Sequence, residues 1–180
     1  MRALVVYESM YGNTHVVASN IADGLRTDYE VRMVPVAEAT PALVAEADLL
    51  VVGGPTHLRG LSSAMTRRMA AEAAARDGSG LRLDPDAGGP GLRDWLKGLS
   101  GGHALAAAFD TRIGDIPVFT GRASRIVARM LKRHGYRLAA APESFLVSSH
   151  STLLYGESSR ARRWGMTVGA ASKTYLPAHV

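Results

Sequence analysis

Hydrophobic residues along this chain follow two spacings in turn. Ala3 to Tyr7 is a continuous apolar, β-branched run bounded by polar residues, which predicts a strand buried on both faces. Thr14 to Leu25 then places Val16, Val17, Ile21 and Leu25 at helical spacing. Tyr29 to Val36 alternates polar and apolar residues, as a strand nearer a sheet edge does, and Pro41 to Ala47 reads as a short helix opened by a first-turn proline. Asp48 to Gly53 is a second strongly buried strand, and Leu61 to Arg76 an Ala-rich helix. Leu92 to Leu99 predicts a short helix, and His103 to Phe109 a strand of small residues. Arg122 to His134 is amphipathic, with Ile126, Val127, Met130 and Leu131 opposite an arginine stripe that reads as a solvated face. Arg137 to Val147 holds the last strand, interrupted at Pro142 and Glu143, and Glu157 to Tyr175 the closing helix. Five strands with intervening helices predict an open parallel α/β sheet covered by helices on both faces.

Asp77 to Gly91 breaks the rhythm. It is rich in Gly, Asp and Pro, shows neither period, and reads as an exposed loop that could cover a site, mediate assembly or be mobile and disordered. No internal repeat or long linker divides the 180 residues, so a single domain over 1–180 is expected.

Composition narrows the chemistry. There are no cysteines, which removes disulfides, thiolate catalysis, iron–sulfur ligation and Cys-based zinc sites. The six histidines have no partner at metal-ligand spacing in sequence, so no metal is expected. No apolar run reaches the roughly 18 residues of a membrane span, and a polar, Gly-containing loop follows the first short apolar run where a signal peptide would continue. A cytoplasmic protein with no membrane partner is expected. The net charge of +5 is uneven: residues from Gly121 onward carry 10 Lys or Arg against 2 acids. No basic-aromatic motif accompanies this charge, so no nucleic-acid partner is expected.

On an open parallel sheet, ligands bind outside the carboxyl ends of the strands, at the switch point of strand order. The loop after the first strand, Ser9-Met10-Tyr11-Gly12-Asn13-Thr14, links a buried strand to a helix N-terminus. Such a loop offers unpaired N–H groups and the positive end of a helix dipole. Ser9 and Thr14 add hydroxyls, Asn13 an amide, and Gly12 allows a tight turn. None of these groups is cationic, which suits a phosphate monoester held permanently. The Walker and dinucleotide glycine patterns are absent, and a phospho-receiver would want paired acids where Glu8 stands alone. No nucleophile elbow unites Ser9, His57 and Asp110, so no protein catalytic residue is assigned.

Ser9 to Thr14 resembles the phosphate loop of the flavodoxin family. The wording with Met10 and Tyr11 is closest to flavodoxin-like quinone reductases and to the flavodoxin modules of flavodiiron proteins. Gly53-Gly54-Pro55-Thr56 is similar to the family's second flavin loop. The resemblance implies a flavodoxin-like three-layer sandwich with five parallel strands in the order 2-1-3-4-5. It also implies bound flavin mononucleotide (FMN) and a redox role, with a partner protein or a small-molecule electron acceptor. By position, Ser9, Tyr11, Asn13 and Thr14 would hold the phosphate, and Thr56 would complete its shell. Pro55 to Gly60 and Asp110, Thr111 and Arg112 would approach the flavin ring, Asp110 to Gly114 forming a loop at its pyrimidine edge. Electron-carrier flavodoxins usually stack aromatics on the ring, whereas His57-Leu58-Arg59 and Asp110-Thr111-Arg112-Ile113 contain none. His57, Arg59 and Arg112 stand where acidic carriers lack cations, and would raise the flavin's potential. An NAD(P)H-dependent quinone or flavin reductase, and a non-catalytic protein of this fold that no longer binds flavin, are the alternatives.

Overall fold

A computed structural model describes residues 1–102, 104–114 and 121–175. The strands are β1 (Arg2–Tyr7), β2 (Glu30–Pro35), β3 (Leu49–His57), β4 (Gly60–Leu61), β5 (Leu105–Ile113), β6 (Arg137–Leu138) and β7 (Glu143–Val147). The helices are α1 (Asn13–Leu25), α2 (Pro41–Ala45), α3 (Ala64–Ala74), α4 (Leu92–Lys97), α5 (Ala123–Arg133) and α6 (Glu157–Lys173).

Parallel pairing sets β1 between β2 and β3, with Val5 opposite both Met33 and Val51, and β3 beside β5. The two-residue β4 folds back antiparallel on β3. The last position of the parallel order is filled in two pieces. β6 pairs Leu138 with Ala106, and β7 resumes with Glu143 opposite Phe109. Residues 139–142 therefore oppose only Ala107 and Ala108, and the break falls where Pro142 can donate no ladder hydrogen bond. The five main positions follow the order 2-1-3-4-5 expected from the sequence, with β4 and the split strand as additions.

Alternation along the central strands sends side chains to two cores. Leu4, Val6 and Val52 meet Leu92 and Leu96 of α4 and Val127 and Leu131 of α5. Val5 and Val51 meet Val17, Ile21 and Leu25 of α1, Val168 of α6, and the rings of Phe109 and Phe145. Both faces are covered, which is why β1 and β3 read as unbroken apolar runs.

Three expectations are corrected here. The strand predicted to end at Phe109 continues to Ile113, so Asp110, Thr111 and Arg112 lie in β5 and not in a loop. β7 accounts for the extension, since it pairs Phe109 through Ile113 residue by residue. His103, where that strand was expected to begin, lies outside the described residues. The helix predicted from Leu61 starts at Ala64, behind a capping box in which Ser63 and Thr66 exchange hydrogen bonds. Finally, 77–91 is not a free loop: it carries a 3-10 turn at Pro85–Gly88, and Asp84 within it is buried. No helix among the described residues is long and apolar enough to cross a membrane.

Candidate functional site

β1 ends at Tyr7, and six residues later α1 begins. Gly12, its N-cap, has φ +86°, a left-handed conformation that costs a residue with a Cβ about 1–2 kcal/mol. Among the described residues, no side chain caps this helix. The first-turn N–H groups that a cap would satisfy are therefore left for an anion. The neighbouring side chains are used instead to brace the loop. The Ser9 hydroxyl accepts from Gly12 N at 3.1 Å, and the Tyr11 hydroxyl donates to Ala70 O of α3 at 2.9 Å. Asn13 Nδ2 donates to Ser151 O at 2.7 Å, and the Thr14 and Thr111 hydroxyls meet at 2.7 Å. Met10 is buried beneath them. The structure thus joins Ser9–Thr14 to the end of β5 through Thr111 and to the loop after β7 through Ser151.

The second loop is a tight turn from β3 into β4. Leu58 and Arg59 both take positive φ there, and the Leu58 side chain stands 74 % exposed. Thr56, expected in the phosphate shell, accepts from Ala123 N at 2.9 Å and so serves the start of α5. Pro55 pairs with Thr111 in the sheet, and Gly60 with His57 across the turn. Burial lowers the His57 pKa, against the opposing pull of the Glu8 carboxylate. His57 is accordingly neutral at neutral pH, and adds no cation.

At the third position two residues are held by bonds within the fold. Asp110, expected at a flavin edge, is fully buried and accepts from Ser124 N at 2.7 Å at the start of α5. Burial raises its pKa, and hydrogen bonds from Ser124 and Ser144 only partly offset this. Arg112 is buried as well, its guanidinium donating to Ile113 O at 3.1 Å. Burial would raise the Glu157 carboxyl, but Arg160, the Leu146 N–H and the Arg112 charge outweigh it and hold that pKa below the ordinary range. Of the three groups expected to bring positive charge to a flavin, Arg59 is the exposed one.

Two features escaped the sequence reading. Glu8, set aside as a lone acid, is buried and accepts from Ser62 Oγ at 2.7 Å and Leu92 N at 2.8 Å, so it caps α4 from the end of β1. Asp84 docks the 77–91 segment on the phosphate loop: its N–H donates to Met10 O at 2.8 Å, and its carboxylate lies 3.4 Å from His15 Nδ1. A Cβ on Gly12 would stand 4.0 Å from Asp84 Oδ2. Only the preference of acids for turn positions could have hinted at this. The connections at the carboxyl end of the sheet also expose Ile113, Leu154 and Tyr155.

The family model for flavodoxin matches residues 5–89, which take in the end of β1, the Ser9–Thr14 loop and β3. A curated flavodoxin of Aquifex aeolicus (strain VF5) is 41% identical over 68 residues, 37% of this chain and 37% of that protein. The fold of the chain is flavodoxin-like. Solved structures agree on the fold. An archaeal flavodoxin aligns with a TM-score of 0.64 at 19% identity, over 96% of this chain and 99% of its own. Flavodoxin 1 from Bacillus cereus gives 0.63 at 18% identity, over 98% and 99%. Rubredoxin oxygen:oxidoreductase from Desulfovibrio gigas gives 0.66 at 17% identity, over 98% of this chain and 37% of that one. FMN is the cofactor that the flavodoxin matches imply. The uncapped start of α1 behind a left-handed Gly12, with the Ser9 and Thr14 hydroxyls beside it, fits a phosphate. The buried Asp84 carboxylate is set against it.

Proposed function

We propose that this flavodoxin-like chain binds FMN with its phosphate at the start of α1, and exchanges electrons with a redox partner protein or a small-molecule acceptor. The observation that carries this reading is the uncapped α1 terminus behind Gly12, at the carboxyl end of β1 where the strand order turns from β2 to β3. FMN, when bound, supplies the redox chemistry, and the protein supplies position and electrostatics. The first-turn N–H groups of α1 receive the phosphate. Thr111 holds Thr14 in place, and Ser151 holds Asn13, so the cradle is fixed before a ligand arrives. His57, kept neutral by burial, presents no charge of its own to a ring at the β3–β4 turn, and the exposed Arg59 is the cation there.

One observation supports the narrower reading of a quinone or flavin reductase. Three of the connections at this end of the sheet expose an apolar side chain: Leu58 after β3, Ile113 closing β5, and Leu154 and Tyr155 after β7. Apolar rims of this kind accept flat ring substrates. The purified protein is expected to show flavin absorption, or to gain it when the apo-protein is mixed with FMN. Oxidation of NADPH in the presence of a quinone, with no partner protein, would select the reductase reading. A colourless protein that takes up no FMN would remove both.

A further inference from the structure

The segment that covers the phosphate loop brings together groups that the sequence holds far apart. His15 lies in the first turn of α1, while Asp84 and Asp86 flank Pro85 at the start of the 3-10 turn. One imidazole nitrogen and two carboxylate oxygens from these residues all lie within 4.8 Å of one another. We propose that His15, Asp84 and Asp86 form a site for a divalent transition ion, Zn²⁺ best matching one imidazole and two carboxylates.

Ligand chemistry and burial agree on this. The Asp84 side chain is 1% exposed, and among the described residues the basic group recorded within 4 Å of it is His15, at 3.4 Å. Burying a carboxylate without a cation is costly, and buried charges are paired or hold metals. An imidazole nitrogen supplies a lone pair to such an ion. A Zn²⁺ ion would balance both carboxylates. Three protein ligands with a further position left to water is a common zinc arrangement, and bonds of about 2.0–2.2 Å set two tetrahedral ligands roughly 3.5 Å apart, close to the 3.4 Å between His15 Nδ1 and Asp84 Oδ2.

The surrounding hydrogen bonds hold the ligands in a usable state. Asp84 Oδ1 accepts from Asp86 N at 3.0 Å, which leaves Oδ2 toward His15. The Tyr7 hydroxyl donates to Asp86 Oδ2 at 2.9 Å and lies farther, 3.4 Å, from His15 Nδ1. Such outer hydrogen bonds orient metal-binding carboxylates. The ligand set is complete without a flavin. A cation here would also offset the carboxylate that otherwise faces the phosphate loop.

The test is a calorimetric titration of Zn²⁺ into chelator-treated protein free of FMN, with Mg²⁺ as the competing ion. One Zn²⁺ per chain is expected, undisturbed by millimolar Mg²⁺. His15→Gln and Asp86→Asn are expected to abolish saturable binding while circular dichroism shows them folded. Tyr7→Phe is expected to weaken it about tenfold, as loss of an outer hydrogen bond does. Absence of stoichiometric binding by the wild-type chain would overturn the proposal. So would binding undiminished in both His15→Gln and Asp86→Asn, which would place the ion elsewhere. Because no flavin is present, a failed FMN reading leaves this result standing, and the reverse holds too.

Discussion

The loop between β1 and α1 depends on single atoms. Gly12 sits at φ +86°, so Gly12→Ala forces a side chain into the left-handed region at a cost of about 1–2 kcal/mol. That strain falls on the cradle itself, and FMN titration of the variant is expected to show weaker binding by roughly tenfold. Two titrating groups give stability predictions of opposite sign. Burial raises the Asp110 pKa, so its contribution to stability is full below the unfolded carboxylate pKa and is lost as pH rises through the folded value. Asp110→Asn keeps an acceptor for Ser124 N, and denaturation at pH 7 is expected to show it more stable than wild type, the difference vanishing near pH 3. His57 is the reverse case, with a folded pKa held below the unfolded one. Its contribution is full above about pH 6.5 and declines as pH falls through that value. His57→Gln is expected to reduce the stability lost between pH 7 and pH 5, measured by urea denaturation at each pH. The sequence identified Asp110 and His57 as residues of interest but not their surroundings. In a strand of alanines, nothing in the pattern shows which face a following Asp takes.

At the scale of elements, helix packing on one face rests on missing side chains. A Cβ on Gly24 of α1 would stand 2.1 Å from Arg162 O of α6, and one on Gly165 would stand 2.3 Å from Ile21 O. The helices therefore touch backbone to backbone, and Gly24→Ala must push them apart. The expected loss is about 1–3 kcal/mol, the usual cost of overpacking, despite alanine's better helix propensity. Chemical denaturation of the variant measures it. Helix α1 was legible because its apolar spacing is strong, but its contact with α6 was not, since glycines leave no periodic mark. The 77–91 segment was misread for a related reason. Its composition matches an exposed loop, and it is fixed in place by one buried carboxylate and a backbone bond to Met10, neither of which follows from composition.

For the whole molecule, the sheet order follows from β1 and β3, whose uninterrupted apolar runs place them at its centre with helices on either side. The split between β6 and β7 was half visible, in Pro142, but the register change needs the partner strand to be seen. The same order places the start of α1 where an anion is favoured, and this is the central claim. It is tested most directly by titrating the apo-protein with FMN and, separately, with riboflavin, which differ only in the phosphate. Two or three hydrogen bonds to a charged group contribute about 1.5–3 kcal/mol each, so FMN is expected to bind at least a hundredfold more tightly. Equal affinities for the two flavins would contradict a phosphate held by Ser9 to Thr14.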